Sequence, residues 1–367
     1  MKKSLIALAT LAAASASFAQ SSVTVFGTFD PSIANQKTTY GNGNAVTQNY
    51  IRNNSQGTSQ LSVKGVEDLG GGLKASFMLE NDFDTRFDAN GNPYNGKVNL
   101  GSGGGEQYVG LEGSFGALKV GAANTPTLTT QASRQPIGTK IGSGFGGVMG
   151  TSHVRNNNSL VYSTPVFSGF SAAVGYAFKT NADANAAAAY NISTGPSSVS
   201  ATPALVNAAS LNTAAVGDIT DIGLNYANGP LRAGLSNYMV AAAGTVAKNE
   251  QTNLYAQYDI AGATLYVGYH TEKTGTSLKQ DGYNVAVKYA LTPSVNLLAN
   301  YGELNDKLAA NAAAPKDKKI SAIGAQYLLS NRTSLYARYV DEKNANVTAA
   351  SSAKGITTTL VGVQHNF

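Results

Sequence analysis

Few residue types in this chain could carry out covalent or acid–base chemistry. It has three histidines, His153, His270 and His365, and it has no cysteine. It also lacks the G-x-S-x-G motif that presents a nucleophilic serine on a strand-to-helix turn. A barrel phospholipase would need a Ser–His pair on its outer wall, and no spacing in the sequence establishes one. The sequence therefore predicts a protein that is not an enzyme and that needs no cofactor.

One glycine-rich stretch formally matches a nucleotide-binding motif. Residues 142–147, GSGFGG, fit G-x-G-x-x-G. A dinucleotide site also requires a preceding strand, a following helix and a βαβ unit. This stretch lies inside a long polar connection, so we interpret it as a flexible loop.

A second stretch, residues 82–94, is rich in the oxygen ligands that Ca²⁺ prefers. The candidate ligands are Asp84, Asp88, Asn90 and Asn92. Their spacing misses the D-x-[DN]-x-[DN]-G loop, and no bidentate Glu follows at the right distance. A solvated loop is the preferred interpretation, and the sequence leaves calcium binding open.

The connection from Thr125 to Asn157 carries only positive charge. It contains no Asp or Glu, and its charged residues are Arg134, Lys140 and Arg155. If this loop folded into a wide barrel, it would bring these charges into a constriction, where electric fields are focused. If it stayed outside, they would form a solvated surface, and the sequence leaves both arrangements open.

The first residues have the three-part pattern of a secretory signal. Lys2 and Lys3 precede the apolar run 5–14, and small residues at Ser17 and Ala19 predict cleavage after Ala19. The apolar run is too short to span a bilayer. We therefore expect a signal peptide at residues 1–19, an exported domain at residues 20–367, and a location in the cell outer membrane.

Composition narrows the fold class of the exported domain. Charged residues make up only 13% of the chain, whereas soluble domains average about 25%. The sequence has 40 glycines and 19 tyrosines, and it shows no spanning apolar segment after the signal. Without the two signal lysines the net charge is about +3, too mild to indicate nucleic-acid binding. A closed transmembrane β-barrel accounts for these properties.

Apolar and polar residues alternate with period 2 along most of the chain, as in SVTVFGTFD at residues 22–30. Seven tight turns are predicted at 68–72, 113–116, 168–169, 228–230, 260–262, 292–294 and 330–332. Eight longer polar segments separate them, beginning with 31–50. Short periplasmic turns that alternate with long external loops predict an all-β, antiparallel transmembrane barrel of about sixteen strands.

Strand parity predicts which charged side chains point into the barrel. Facing lipid near the bilayer midplane would cost a lysine or arginine about 2–4 kcal/mol, so the lumen is favoured. The predicted lumen residues are Lys64, Lys74, Glu80, Asp82, Glu112, Arg232, Lys288 and Arg338, joined by Arg134, Lys140 and Arg155 if their loop folds inward.

Several segments resemble the Gram-negative general porins, in particular their beta-proteobacterial branch. They are QSSVTVFGTFD, VEDLGGGLKASFMLE, YVGLEGSFGALKVG, RNNNSLVYSTP and the closing VGVQHNF. The resemblance implies a homotrimer of sixteen-stranded barrels whose third loop folds into the lumen. It also implies passive diffusion of small hydrophilic solutes and ions. Arg155 matches the arginine that opens the R-x-x-N-S strand of the family.

Two positions depart from the family pattern. Gln60 stands where the family usually has the arginine of S-R-x-G-x-K-G, and Ala122 replaces the arginine of L-G-R. These changes partly dismantle the usual arginine–carboxylate constriction. The remaining charges predict a weak to moderate preference for anions. The alternatives are a substrate-specific channel and a surface adhesin or antigen anchored by a barrel, for which the neutral segment 181–216 is the best support.

The closing strand, TTTLVGVQHNF, is predicted to complete the barrel. Val361, Val363, His365 and Phe367 share one face, which is expected to meet lipid, with Phe367 in the aromatic girdle. By resemblance to porins, a strand ending in Phe is also recognised by the outer-membrane assembly machinery. The other expected partners are outer-membrane lipid and lipopolysaccharide.

Overall fold

The computed structural model describes residues 22–83, 104–132, 135–144, 154–179, 217–243, 246–311 and 316–367. The signal segment, the candidate calcium ligands, Arg134, His153 and segment 181–216 lie outside these residues. Within the described part, most residues belong to one antiparallel sheet. No helix in these ranges is both long and apolar enough to cross a membrane.

Eighteen strand segments and two short helices make up the described structure. The strands are β1 Ser22–Phe29, β2 Pro31–Tyr40, β3 Ala45–Asn53, β4 Gln60–Gly70, β5 Leu73–Asp82, β6 Gln107–Gly113, β7 Gly116–Ala122, β8 Ser159–Ser163, β9 Phe170–Ala177, β10 Ile219–Asn228, β11 Leu231–Val240, β12 Asn249–Ile260, β13 Ala263–Thr274, β14 Leu278–Thr292, β15 Val295–Asp306, β16 Lys318–Leu328, β17 Thr333–Asn344 and β18 Ala353–Asn366. The helices are α1, Pro126–Ala132, and a 3₁₀ turn, Ala309–Asn311.

These segments form sixteen barrel strands. β1 and β2 run end to end and are separated only at Asp30, while β3 and β4 are separated by residues 54–59. Each half pairs with the matching half, β1 with β4 and β2 with β3. Sequential antiparallel pairing continues from β4 to β18, which pairs with β2 and β1. The predicted closed sixteen-stranded barrel is confirmed.

The seam of the barrel joins the closing strand to β1. Gly27 and Phe367 exchange backbone hydrogen bonds with N···O distances of 3.1 and 3.0 Å. Thr28 adds a side-chain bond to Asn366 Oδ1 at 2.8 Å. A Cβ on Gly27 would stand 2.5 Å from the Phe367 ring, so the glycine leaves room for the aromatic. The last strand is therefore held on both sides instead of fraying.

The two faces of the barrel wall differ as the period of 2 predicts. In β11, Leu231 and Leu235 are exposed on the outer face, whereas Ser236 and Tyr238 are buried on the inner face. The same contrast separates Val361 and Val363 from Leu360 in β18. Alternating side chains point to opposite faces of a strand, so apolar groups meet lipid and polar groups face the interior.

All seven predicted tight turns lie between consecutive strands. The prediction of the first long loop, however, is wrong. Residues 31–50 were expected to form a loop, yet β2 and β3 occupy most of them and only residues 41–44 connect the two strands. This hairpin carries polar residues on both faces, so its sequence lacks the apolar alternation that marks the other strands. Backbone pairing does not require that alternation.

The third long connection, residues 123–158, which we call L3, folds into the barrel. Its helix α1 packs inside β10 and β11, where Thr127 donates to both carboxylate oxygens of Asp221 at 2.9 and 2.6 Å. A Cβ on Gly223 or Gly234 would lie 2.9 or 2.6 Å from the Thr130 side chain. Glycines on the inner wall therefore make space for the helix, which settles the alternative that the sequence left open.

Candidate functional site: a charged constriction

Arg155, on the returning arm of L3, meets the carboxylates of β5. Its Nη2 lies 3.0 Å from Glu80 Oε1, and its Nη1 lies 3.9 Å from Asp82 Oδ2. An isolated β-bridge between Arg155 and Asn124 ties the two ends of L3 together. Because adjacent inward positions of one strand are two residues apart, Glu80 and Asp82 can both face the same guanidinium.

A second ion pair, Glu106 with Lys119, borders the first. Lys119 Nζ lies 3.1 Å from Glu106 Oε1 and 4.2 Å from the centroid of the Tyr108 ring. The same Glu106 oxygen accepts the Asn124 N–H at 3.1 Å, and the Glu106 N–H donates to Glu80. The sequence prediction missed both residues. In GALKVG, alternation puts Lys119 on one face of β7 and Leu118 and Val120 on the other. This pattern could have identified Lys119 as a lumen residue.

Lys140 approaches this cluster from the tip of L3. Its ammonium donates to Thr58 Oγ1 at 2.5 Å. Burial lowers the pKa of Lys140 below the usual lysine range, and the carboxylates of Asp82 and Asp30 oppose that shift. The constriction therefore contains equal numbers of acidic and basic side chains. The acids are Glu80, Asp82 and Glu106, and the bases are Lys119, Lys140 and Arg155.

The two departures from the family pattern have different surroundings. Gln60 donates to Glu80 Oε2 at 2.9 Å, so a neutral amide occupies a position beside the carboxylates. Ala122 pairs with Gln107 and lies on the same face of the sheet as Val120 and Val109. That face is the outer face of the barrel wall, where both valines are exposed.

Of four other predicted lumen bases, three lie close to the short turns, and the fourth, Lys64, lies in the middle of β4. They are Lys64, Lys74, Arg232 and Lys288, each on the face opposite the exposed apolar residues. Lys74 is paired across the strands with Glu112 and with Asp68. Arg232 lies 2.7 Å from Asp259. The predicted site residues thus form one group at the constriction and one near the turns, with Lys64 between them.

Arg338 belongs to neither group. It is only 3% exposed, and its guanidinium donates to the backbone carbonyls of Ser55 and Ile141. The two histidines that the structure describes also lie elsewhere. His270 is buried on the inner wall beside Asn253, with Nδ1···Oδ1 at 2.7 Å, and the outward His365 contacts Thr333.

Metal binding finds no support in the part of the chain that the structure describes. There, no three His, Cys, Asp or Glu side chains are grouped closely enough to hold an ion. The candidate calcium ligands Asp84, Asp88, Asn90 and Asn92 are outside that part.

A family model described as Gram-negative porin matches residues 4–346. The chain belongs to the Gram-negative porin family. Among relatives, the porin is 31% identical to outer membrane porin protein 32 of Delftia acidovorans, over the whole of both chains. It is 27% identical, again over both whole chains, to an outer membrane porin of Bordetella pertussis. The beta-proteobacterial resemblance is confirmed.

Solved structures agree with this membership. An anion-selective porin from Comamonas acidovorans superposes with a TM-score of 0.71 at 26% identity, covering 95% of this chain and 100% of the other. The trimer form of OmpT from Vibrio cholerae shares the fold, with a TM-score of 0.65 at 14% identity and coverage of 95% and 99%. The protein is an outer-membrane porin, a channel and not an enzyme.

Proposed function

We propose that this porin is a water-filled channel through which small hydrophilic solutes and ions diffuse passively, with a weak preference for anions. The observation that carries the proposal is L3 inside the barrel, anchored at Asp221 and presenting Lys140 and Arg155 to the carboxylates of β5. A loop in this position would narrow a lumen and bring charge to the path of the ions, which supports the proposal.

The charges between the constriction and the short turns support the sign of the preference. There, the four bases Lys64, Lys74, Arg232 and Lys288 lie on the inner face with three acids, Asp68, Glu112 and Asp259. The excess of one positive charge is small, so the preference is weak. Anion selectivity in the Comamonas porin supports the same sign.

Purified porin in a planar bilayer tests the proposal. Reversal potentials in a KCl gradient should show chloride passing more readily than potassium, with a permeability ratio of about two or less. Lys64→Gln and Lys288→Gln together should bring the ratio to unity or below. A cation-selective wild type would contradict the predicted sign. A silent barrel would instead favour a surface anchor, and block by one solute class would favour a substrate-specific channel.

We further propose that the porin is a homotrimer in a lipid and lipopolysaccharide bilayer. A hollow of about 590 Å³ on the outer wall is lined by exposed apolar residues such as Ile33, Ile51 and Val361, a surface that another subunit could cover. The trimer form of the OmpT structure supports this assembly. Light scattering of the detergent-solubilised protein should give three times the mass of one chain, and a monomer mass would contradict the proposal.

Two further proposals concern export and insertion. Residues 1–19 are a signal peptide removed on export, so N-terminal sequencing of the mature protein should begin at Gln20. Phe367 is part of the pattern that the assembly machinery recognises. Its ring covers Gly27 at the seam. Phe367→Ser should therefore reduce the amount of folded porin in outer membranes, whereas the exposed-face control Leu291→Ser should reduce it less.

A further inference from the structure

Residues 54–59, which we call the inner loop, interrupt the β3–β4 barrel strand. The loop begins at Asn54, whose φ of 59° lies in the left-handed region that asparagine tolerates better than most residues. Asn54 Oδ1 accepts the N–H of Ser59 at 2.7 Å, which closes the loop on itself. Ser55 and Ser59 are both fully buried, so the loop is packed and not solvated.

Asp30, the residue between β1 and β2, organises the inner loop. Its Oδ2 accepts the backbone N–H groups of Gln56 and Gly57 at 2.6 and 2.8 Å. Its Oδ1 accepts the hydroxyl of Tyr336, on β17. Asp30 is 0% exposed. A buried carboxylate with three donors is held strongly in place, and its loss would leave those donors unpaired.

Arg338 joins the inner loop to L3. One guanidinium nitrogen, Nη1, donates to the carbonyl of Ser55 in the inner loop and to the carbonyl of Ile141 in L3, the latter at 3.1 Å. The other, Nη2, donates to Gln56 Oε1 at 3.2 Å. The planar fork of arginine suits it to bridge several acceptors at once.

Contacts on either side of Ile141 hold the same part of L3. Lys140 donates to Thr58 of the inner loop, and Asn300 of β15 donates to the carbonyl of Gly142 at 3.0 Å. A Cβ on Gly142 would lie 2.9 Å from Ala322 Cβ, so the tip of L3 lies directly on the wall. Three consecutive residues, 140–142, are thus fastened between the inner loop and the strands β15–β17.

We propose that Arg338 is a positioning residue that fastens the tip of L3 to the inner loop and so sets the aperture of the channel. This inference rests on the proposed channel function and deepens it. Arg338 acts through L3 and not on the solute, because its side chain is buried and its guanidinium donates to acceptors of L3 and the inner loop. The positive charge that acts on passing ions near Arg338 is that of Lys140. The contacts of residues 140–142 hold Lys140 beside Asp82 and Asp30.

Single-channel recording of Arg338→Met tests the proposal. Without the fork, the tip of L3 keeps its Lys140–Thr58 bond but loses the Arg338 bridge to the inner loop. The single conductance level of the wild type should then give way to fluctuating levels with greater open-channel noise. Arg338→Lys should rescue the wild-type trace only partly, since an ammonium lacks the planar fork. Arg332→Met is the matched control, because Arg332 is exposed in the β16–β17 turn and the substitution is the same.

The cysteine-free sequence permits a rescue experiment. Thr58→Cys and Lys140→Cys, added to Arg338→Met, place thiols on the inner loop and on the tip of L3. Joining them with a short bis-methanethiosulfonate, which forms a disulfide with each cysteine and releases sulfinate, should restore a single conductance level, and reduction of the disulfides should abolish it. Heat-modifiable migration on gels verifies that each variant is folded.

The outcomes separate this inference from the channel function on which it rests. A wild type without conductance would refute the channel. A conducting wild type, with Arg338→Met giving a single level and only a changed reversal potential, would overturn the positioning role, because Arg338 would then act as a pore charge. Failure of the cross-link to quiet a noisy Arg338→Met channel would overturn it as well.

Discussion

Two walls of the lumen face L3, and they contact it through different kinds of interaction. The charged wall, formed by β5–β7 and the adjoining Glu106, presents Glu80 and Asp82 to Arg155 of L3 and pairs Lys119 with Glu106. The amide wall, formed by β12–β15, presents the buried side chains of Asn253, Asn284 and Asn300. It holds L3 through packing and bonds to carbonyl oxygens, as between Asn300 and Gly142.

The difference indicates a division of roles. Neutral amides hold a loop in place without adding a field, whereas unit charges in a narrow lumen act on every passing ion. Glycines on the inner wall of β10 and β11 add to this support, because Gly223 and Gly234 let α1 approach the strands closely. Ion preference at the constriction should therefore depend on the charged wall, whereas the position of L3 should depend on the amide wall together with the Arg338 bridge to the inner loop.

The largest change in selectivity is expected from neutralising both carboxylates of β5. At about 5 Å in water a unit charge contributes about 0.8 kcal/mol, which is about a four-fold change in local ion concentration. Removing two charges with Glu80→Gln and Asp82→Asn should shift the chloride-to-potassium permeability ratio about ten-fold towards chloride after salt screening. Reversal potentials measure this shift. An unchanged ratio would show that the charged wall does not control permeation.

A smaller shift, of opposite sign, is expected from Arg155→Met. The substitution removes one positive charge and leaves Glu80 and Asp82 without their guanidinium partner. Potassium should gain about two- to four-fold over chloride. Arg155→Lys, which keeps the charge, is the control and should stay within a factor of two of the wild type. Equal shifts for both variants would mean that loop geometry, and not charge, produces the effect.

A pH-dependent change should come next in size. Burial lowers the pKa of Lys140, so this side chain loses its proton at a lower pH than ordinary lysines. As pH rises into the range just below the ordinary lysine value of about 10.4, one positive charge leaves the constriction and anion preference falls. Reversal potentials measured along a pH series should show this fall. Lys140→Met should lower the preference at neutral pH and flatten the profile over that range, and a wild-type profile that is already flat would contradict the prediction.

The smallest effect is expected on the amide wall. Asn253→Ala removes the partner of His270 Nδ1 but no charge, so the permeability ratio should stay within about 1.5-fold of the wild type. The thermal stability of the barrel should fall, because a buried polar group loses its hydrogen bond. Reversal potentials and heat-modifiable gel migration measure the two effects. A large change in selectivity would contradict the view that the amide wall supports L3 without affecting ion preference.

Much of the barrel was predictable because strand parity is a local property. The turns at 68–72 and 113–116, the inward faces of Glu80 and Glu112, and the closing strand all follow from period 2 and turn chemistry. The polar hairpin of β2 and β3 escaped prediction because neither of its faces is consistently apolar. Arg338 has the same inward parity as Glu80, and parity alone does not distinguish a buried clamp from a pore charge.

By itself, the sequence determined the strand rhythm, the charge content of L3 and the seam at Phe367, since each depends on neighbouring residues and on the period of the strand. Only the tertiary structure decided that L3 folds inward and that the inner loop meets it. The same holds for the neutralisation of Arg155 by acids some 75 positions away in the chain. These outcomes depend on which inward side chains the closed ring brings face to face. That choice is set by the register of all sixteen strands together, and no single segment encodes it.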